Sequence, residues 1–324
     1  MTQEPAAAPT TGSRLIYGCM GLGGSWEDGA YGAAEVRVAE AAVEAALDAG
    51  ITRFDHADIY RRGSAETVFG EVLRRAPGLR ERILVQGKVG IRLAEPGVIA
   101  HYDLSAASIR ERVLESLERL GIERLDVLLL HRPDPLLEPA EVAEAVAGLQ
   151  AEGLVGDVGA SNMSAAQLAE LQDALATPLV ADQMEMSLAR HGFADSAVLV
   201  NHPEGAIVDF PHGTLEHCRR HGIELQAWGS LAGGRYSGGA VATGDTAGAE
   251  TAALVSRLAE ERGVAREAVV LGWLMRHPAA ITPVIGTTDP GRIRACADAE
   301  QVAASMTRSE WYDLYLAARG RPVP

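Results

Sequence analysis

Four titratable side chains stand at the ends of short apolar runs, and together they could move a proton. Asp55 and Tyr60 lie in Phe54-Asp55-His56-Ala57-Asp58-Ile59-Tyr60, Lys88 closes Leu84-Val85-Gln86-Gly87-Lys88, and His131 follows Leu128-Leu129-Leu130. Lys88 is the one lysine among 29 Lys and Arg residues. Arginine is effectively never deprotonated, whereas an ammonium is a compact charge whose pKa moves readily. A tyrosine with a free pKa of about 10 becomes a tunable acid when a cation lies beside it, because the cation favours the phenolate. Asp55 would hold that ammonium in place, and His131 would donate to a carbonyl oxygen and orient it. Hydride for such a carbonyl must come from a cofactor. Each residue also has a plainer reading. Asp55 and Asp58 could cap the next helix, Tyr60 could be a rim aromatic, His131 a satisfied interior histidine, and Lys88 what an arginine-rich composition left over.

The elements that must bring these residues together read as a long βα alternation. Strands are expected at 51–55, 82–88, 125–130, 154–159, 178–183, 223–228 and 281–285, after a first strand at 14–17. Helices are expected at 35–48, near 64–75, at 106–120, 138–151 and 165–175, near 213–221, 247–262 and 265–276, then at 290–299 and 308–318. Apolar runs that do not alternate suit parallel strands buried on both faces. The expected fold is therefore α/β, a single (β/α)8 TIM barrel over 14–324, with a doubly wound open sheet as the alternative. In such a barrel the carboxyl ends of the strands share one face, where active sites are built. The irregular stretches 185–212 and 229–246 follow strands and are expected over that face. A glycine-rich loop at 18–25 would let backbone approach a ligand closely.

Composition narrows the partners. A formal charge of −15 disfavours nucleic acid and anionic membrane surfaces. Apolar residues make up 47% of the chain. Three scattered cysteines (Cys19, Cys218, Cys296) have no zinc-site or disulfide spacing. Residues 1–13 lack a basic and an apolar signal region and are expected to form a disordered lead-in. No apolar run is long enough to span a membrane, so a cytoplasmic location is expected. Three histidines in the loop 191–212 (His191, His202, His212) follow no ligand spacing, and no metal is expected.

With these motifs in view, the chain resembles the aldo-keto reductase superfamily from about residue 14 to 316, closest to a bacterial subgroup of oxidoreductases. The segment 54–60 is similar to that family's Asp/Tyr strand end, Ser64-Ala65-Glu66-Thr67-Val68-Phe69-Gly70 to the segment that follows it, and Lys88 and Leu130-His131-Arg132-Pro133-Asp134 to its Lys and His motifs. The resemblance implies a tetrad of Asp55, Tyr60, Lys88 and His131. It also implies NADPH (NADP+) bound without a Rossmann domain and a small-molecule aldehyde or ketone as substrate. By the same resemblance, Ser161, Asn162 and Gln183 would meet the nicotinamide amide and Trp228 would stack on its ring. Gly229, Ser230 and Leu231 would border the pyrophosphate, and Met20 is also expected among the cofactor-binding residues. Gly286, Thr287, Thr288 and Arg292 would meet the adenosine phosphate where a helix opens. The family's usual glycine after the tyrosine is Arg61 here, followed by Arg62, which either biases the pocket toward anionic substrates or is solvated surface. Position 286 is glycine where relatives carry a basic residue, so the 2′-phosphate would rest on Arg292 and Thr287. Two rivals stand beside this reading: a Schiff-base enzyme using Lys88 as nucleophile, and a non-catalytic NADPH-sensing protein on the same fold.

Overall fold

Residues 12–27 and 29–324 are described by a computed structural model. The expected lead-in over 1–13 lies, as far as residue 11, outside them. Ser13 is tied down, its N–H donating to Gly50 O (2.8 Å) and its hydroxyl to Glu300 (3.2 Å).

Eight parallel strands close a barrel in sequence order: β1 Ile16–Gly18, β2 Arg53–Asp55, β3 Leu84–Val89, β4 Leu125–Leu130, β5 Val155–Ser161, β6 Leu179–Glu185, β7 Glu224–Trp228 and β8 Thr282–Ile285, which pairs back onto β1. Most strand residues are buried on both faces, one against the barrel interior and one against the helices, which is why the runs do not alternate. The helices start where side-chain caps permit. Ser164 accepts the Gln167 N–H and Gln167 reaches back to the Ser164 N–H, a reciprocal pair that opens Ala165–Ala174. Thr307 and Glu310 do the same for Arg308–Arg319. Gly121, with φ +64°, ends Ala106–Leu120 in the left-handed region.

Two expectations need correction, and one small hairpin was not foreseen. The helix expected over 290–299 is two pieces, Pro290–Arg294 and Ala299–Ser305. Between them the chain tightens through i→i−3 bonds (Cys296 N–H to Ile293 O, Ala297 N–H to Arg294 O, Ala299 N–H to Cys296 O), with no proline or glycine to announce the break. After β3, a small antiparallel hairpin pairs Ile91–Arg92 with His101–Tyr102. The stretch 185–212 carries a helix, Gly192–Val198, and none of it lines the cavity described below. Asp195 of that helix accepts from the Tyr315 hydroxyl (2.5 Å) and Arg319 (3.2 Å), so the stretch docks the C-terminal helix instead.

Candidate active site

After β2 the chain stays bonded alongside β3. The His56 N–H donates to Gln86 O (2.7 Å) and the Asp58 N–H to Lys88 O (3.0 Å). This carries Asp55 to the strand end and sets Tyr60 in the turn above it. That turn is tight: Arg61, Arg62 and Gly63 all have positive φ (51°, 56° and 90°), a left-handed conformation that costs non-glycine residues energy. Hydrogen bonds hold it. The Ser64 hydroxyl lies within hydrogen-bond reach of both Arg61 O (2.8 Å) and Gly23 O, and its one proton can be given to either. Arg61 Nε donates to Met20 O and Arg62 Nε to Trp26 O, each at 3.2 Å. Neither arginine lines the cavity; both lie toward solvent and staple the 20–26 loop to the tyrosine turn.

Lys88 is 1% exposed and Asp55 2%. The ammonium donates to both Asp55 oxygens at 2.6 Å and to His56 O at 2.9 Å. Its Nζ lies 4.9 Å from the centroid of the Tyr60 ring. The Tyr60 and His131 rings meet edge to face, with centroids 6.1 Å apart. Beneath the pair, Gln86 Nε2 donates to Asp55 Oδ1 (2.6 Å) and Gln183 Nε2 to the same oxygen (3.2 Å). Gln226 and Gln86 exchange amide hydrogen bonds (2.9 and 3.0 Å), and Gln226 Nε2 reaches Glu224, which Arg53 grips with Nη1 at 2.9 Å from each oxygen. A polar column therefore threads the barrel from Arg53 to Tyr60.

The electrostatics differ in part from expectation. Burial raises the Tyr60 pKa; Lys88 pulls against that, Asp55 adds to it, and the net direction is up. The expectation that Lys88 would bring the phenol down is corrected: the cation opposes desolvation without overcoming it. Burial also works against the Lys88 ammonium, but Asp55 and then Tyr60 outweigh it and its pKa is raised. His131 is held well below the usual imidazole value by burial, then by Lys88 and Arg132. Its ring is neutral at pH 7, and its buried Nδ1 has no partner.

A cavity of about 670 Å³ opens over these groups, within the range of roughly 300–1,000 Å³ usual for ligand sites. Asp55, Tyr60 and His131 line it, while Lys88 lies beneath. Of the residues expected at a cofactor, Met20, Ser161, Asn162, Gln183 and Trp228 line it near that end. Gly229, Ser230, Leu231, Gly286, Thr287 and Arg292 line its other arm, and Thr288 does not. The Trp228 indole N–H donates to Asn162 Oδ1 (3.1 Å), Asn162 Nδ2 to Ser161 Oγ (2.7 Å), and Ser161 Oγ to Gln183 O (2.9 Å). Gln183 gives its Nε2 to Asp55 and Gln226, which leaves its side-chain oxygen as the group that can meet the expected nicotinamide amide. The Ser230 hydroxyl is likewise spent on Val284 O (2.8 Å), so its contribution to the cavity is backbone.

The phosphate end differs too. The helix there has only five residues, Pro290–Arg294, and Asp289 already accepts the Arg292 N–H (3.1 Å). An anion there can meet the Thr287 hydroxyl, which only accepts the Asp289 N–H (3.2 Å), and the Arg292 guanidinium, which is also shared with Glu267 (3.2 Å) and Ser237 (3.1 Å). At Gly234, φ +87°, a Cβ would stand 2.6 Å from Arg292 Nη2, so only glycine lets this loop pass so close. A groove with a buried ion pair at one end, glycine backbone along its side and an arginine at the other fits an extended dinucleotide.

The aldo/keto reductase family model matches residues 14–311. A 6-dehydroglucose reductase from Agrobacterium fabrum is 37% identical over 316 residues, 96% of each chain. The chain belongs to the aldo/keto reductase family. With membership comes NADPH-dependent oxidoreductase chemistry on carbonyl compounds. A 6-dehydroglucose reductase from Novosphingobium aromaticivorans is 36% identical, covering 87% of this reductase and 86% of that one. Among solved structures, a glycerol dehydrogenase from Gluconobacter oxydans superposes with a TM-score of 0.77 at 22% identity, covering 97% of this chain and 94% of that one, which speaks for the barrel alone. Relatives named as reductases give the non-catalytic rival no support.

Sequence reasoning passed over several groups. Trp26, Ile59, Ile91 and Arg132 line the cavity, and of these only Ile59 and Arg132 stood inside motifs already singled out. Gln86 and Gln226 were also missed, although a glutamine inside an apolar strand run is itself a signal, since a buried amide must find partners.

Proposed function

We propose that Tyr60 is the general acid of this reductase, with Lys88 and Asp55 setting its proton affinity and His131 orienting the substrate carbonyl. The observation that carries this is the ammonium held at 2.6 Å by both Asp55 oxygens, 4.9 Å from the Tyr60 ring, at the inner end of the cavity. NADPH, when bound, supplies the hydride to the carbonyl carbon. The residues do the rest. Ser161 and Asn162 offer a hydroxyl and an amide to the nicotinamide, Trp228 its indole face, and Arg292 a fork of donors for the 2′-phosphate. His131, neutral, donates to the carbonyl oxygen; Tyr60 gives that oxygen its proton, and the phenolate left behind is stabilised by Lys88. Burial keeps Tyr60 protonated through neutral pH, so reduction persists into alkaline solution and falls once pH passes the raised Tyr60 value. Sugar-derived aldehydes, of the kind the two relatives' name denotes, are the first substrates to try. Three buried free thiols, Cys19, Cys218 and Cys296, suit a cytoplasmic enzyme.

The test is NADPH oxidation with 4-nitrobenzaldehyde, run on wild type and Tyr60→Phe. A placed general acid contributes about 10²–10⁴ in rate. The variant should lose that much in kcat while its NADPH affinity, read by fluorescence, holds. Equal turnover in both proteins would remove Tyr60 from the acid's role.

A further inference from the structure

The arginines around the cavity are nearly all spoken for. Arg61 and Arg62 are bonded to loop carbonyls, Arg235 pairs with Asp245, and Arg292 is shared between Glu267 and Ser237. Arg132 is the exception. It lines the cavity one residue after His131, half-buried. Its guanidinium lies 5.7 Å from the centroid of the Trp228 ring, and among the described residues it forms no hydrogen bond or ion pair. The acid best placed in sequence to neutralise it is Asp134, and that carboxylate is turned to backbone: its Oδ2 accepts the Leu104 N–H and its Oδ1 the Leu136 N–H, each at 2.9 Å. Pro133 between them has no N–H to offer. Among the other cavity walls, Met20, Ile59 and Ile91 are apolar and Trp26 offers at most one neutral indole N–H. A half-buried fork of five N–H donors with no acceptor is costly to desolvate unless a ligand completes it.

We infer that Arg132 selects carbonyl substrates that carry an acceptor oxygen, hydroxyl or carboxylate, within two carbons of the reducible group. The inference rests on the reductase reading and deepens it. Leaving the strand end that carries His131, the guanidinium can reach the substrate just beyond the carbonyl that His131 orients. A charge-assisted hydrogen bond to such an oxygen is worth roughly 10- to 100-fold in kcat/KM.

The experiment compares matched substrates on wild type, Arg132→Met and Arg132→Lys. DL-glyceraldehyde against propanal isolates the hydroxyl, and 2-carboxybenzaldehyde against 2-methylbenzaldehyde isolates the carboxylate. Wild type should favour at least one oxygenated partner, and Arg132→Met should collapse that preference by about 10- to 100-fold. The arm that collapses identifies the oxygen. If it is the carboxylate, lysine restores part of the preference as a point charge and added salt erodes it; if the hydroxyl, lysine restores little and salt has little effect. Equal losses on both members of each pair would overturn the inference, as would a parallel loss of NADPH affinity in Arg132→Met, which would assign the residue to the cofactor. Should wild type reduce none of the four, nor 4-nitrobenzaldehyde, the reductase reading itself falls and this inference with it. Turnover without Arg132-dependent preference fells the inference alone.

Discussion

Asp55, at the end of β2, and Asp182, midway along β6, are both buried barrel aspartates, 2% and 0% exposed, and they live in opposite worlds. Asp55 faces the barrel interior and takes two bonds from Lys88, one from Gln86 and one from Gln183. Asp182 receives only a long bond from the Met163 N–H (3.4 Å), and its Oδ2 has no partner. Burial pushes its carboxyl up to about 7, and it in turn helps hold the neighbouring Cys218 thiol up near 12, where burial is the larger cause. Burial alone therefore does not make a catalytic carboxylate. A cation and a set of donors do, and the sequence places them on one side of the sheet only.

The comparison can be broken most forcefully at Lys88. Lys88→Met leaves Asp55 without its cation, as Asp182 is. Removing one partner of a buried pair costs about 3–5 kcal/mol, which urea unfolding should register along with loss of turnover. An unfolding midpoint close to wild type would mean that the glutamines suffice for Asp55. The converse change is Asp182→Asn. With a folded value near 7 against about 3.9 unfolded, the native state binds the extra proton, so stability falls as pH rises between those values and the deficit is complete above 7. Asp182→Asn should thus be more stable than wild type by about 1–3 kcal/mol at pH 8 and nearly equal to it at pH 4. A gain of the same size at both pH values would show that ionisation is not the cause. Smallest is Gln226→Leu, which strips partners from Gln86 and Gln183 while sparing Lys88. It should cost about 1–2 kcal/mol and move the alkaline limb of the pH–rate profile as Asp55 relaxes. An unmoved limb would reduce the glutamines to packing.

Much of this was legible in residue types. A lone lysine, an aspartate and a histidine ending apolar runs gave both the barrel and the convergence of its strand ends. Asp182 was hidden because β6 is buried on both faces, so a polar residue there reads alike whether it points into the barrel or under a helix. The helix break at 295–298 was hidden because alanines favour helix and nothing punctuates the turn. Arg132 stood within a motif, but its freedom depends on Asp134 turning to backbone 30 residues away in sequence, at Leu104, which spacing does not reveal. The direction of the Tyr60 shift required knowing how deeply the phenol is buried.

The staple formed by Arg61, Arg62 and Ser64 has a consequence for how this enzyme can be re-engineered. Trp26, a wall of the cavity, hangs from the turn that presents Tyr60. A loop borrowed from another reductase between residues 20 and 27 would be held only if its carbonyls fall where those of Met20, Gly23 and Trp26 meet Arg61, Ser64 and Arg62, and a glycine at position 61 would relax the backbone while releasing the loop. Selectivity and acidity are inherited here as one cassette, so recombination should exchange 20–27 and 60–64 together or leave both alone.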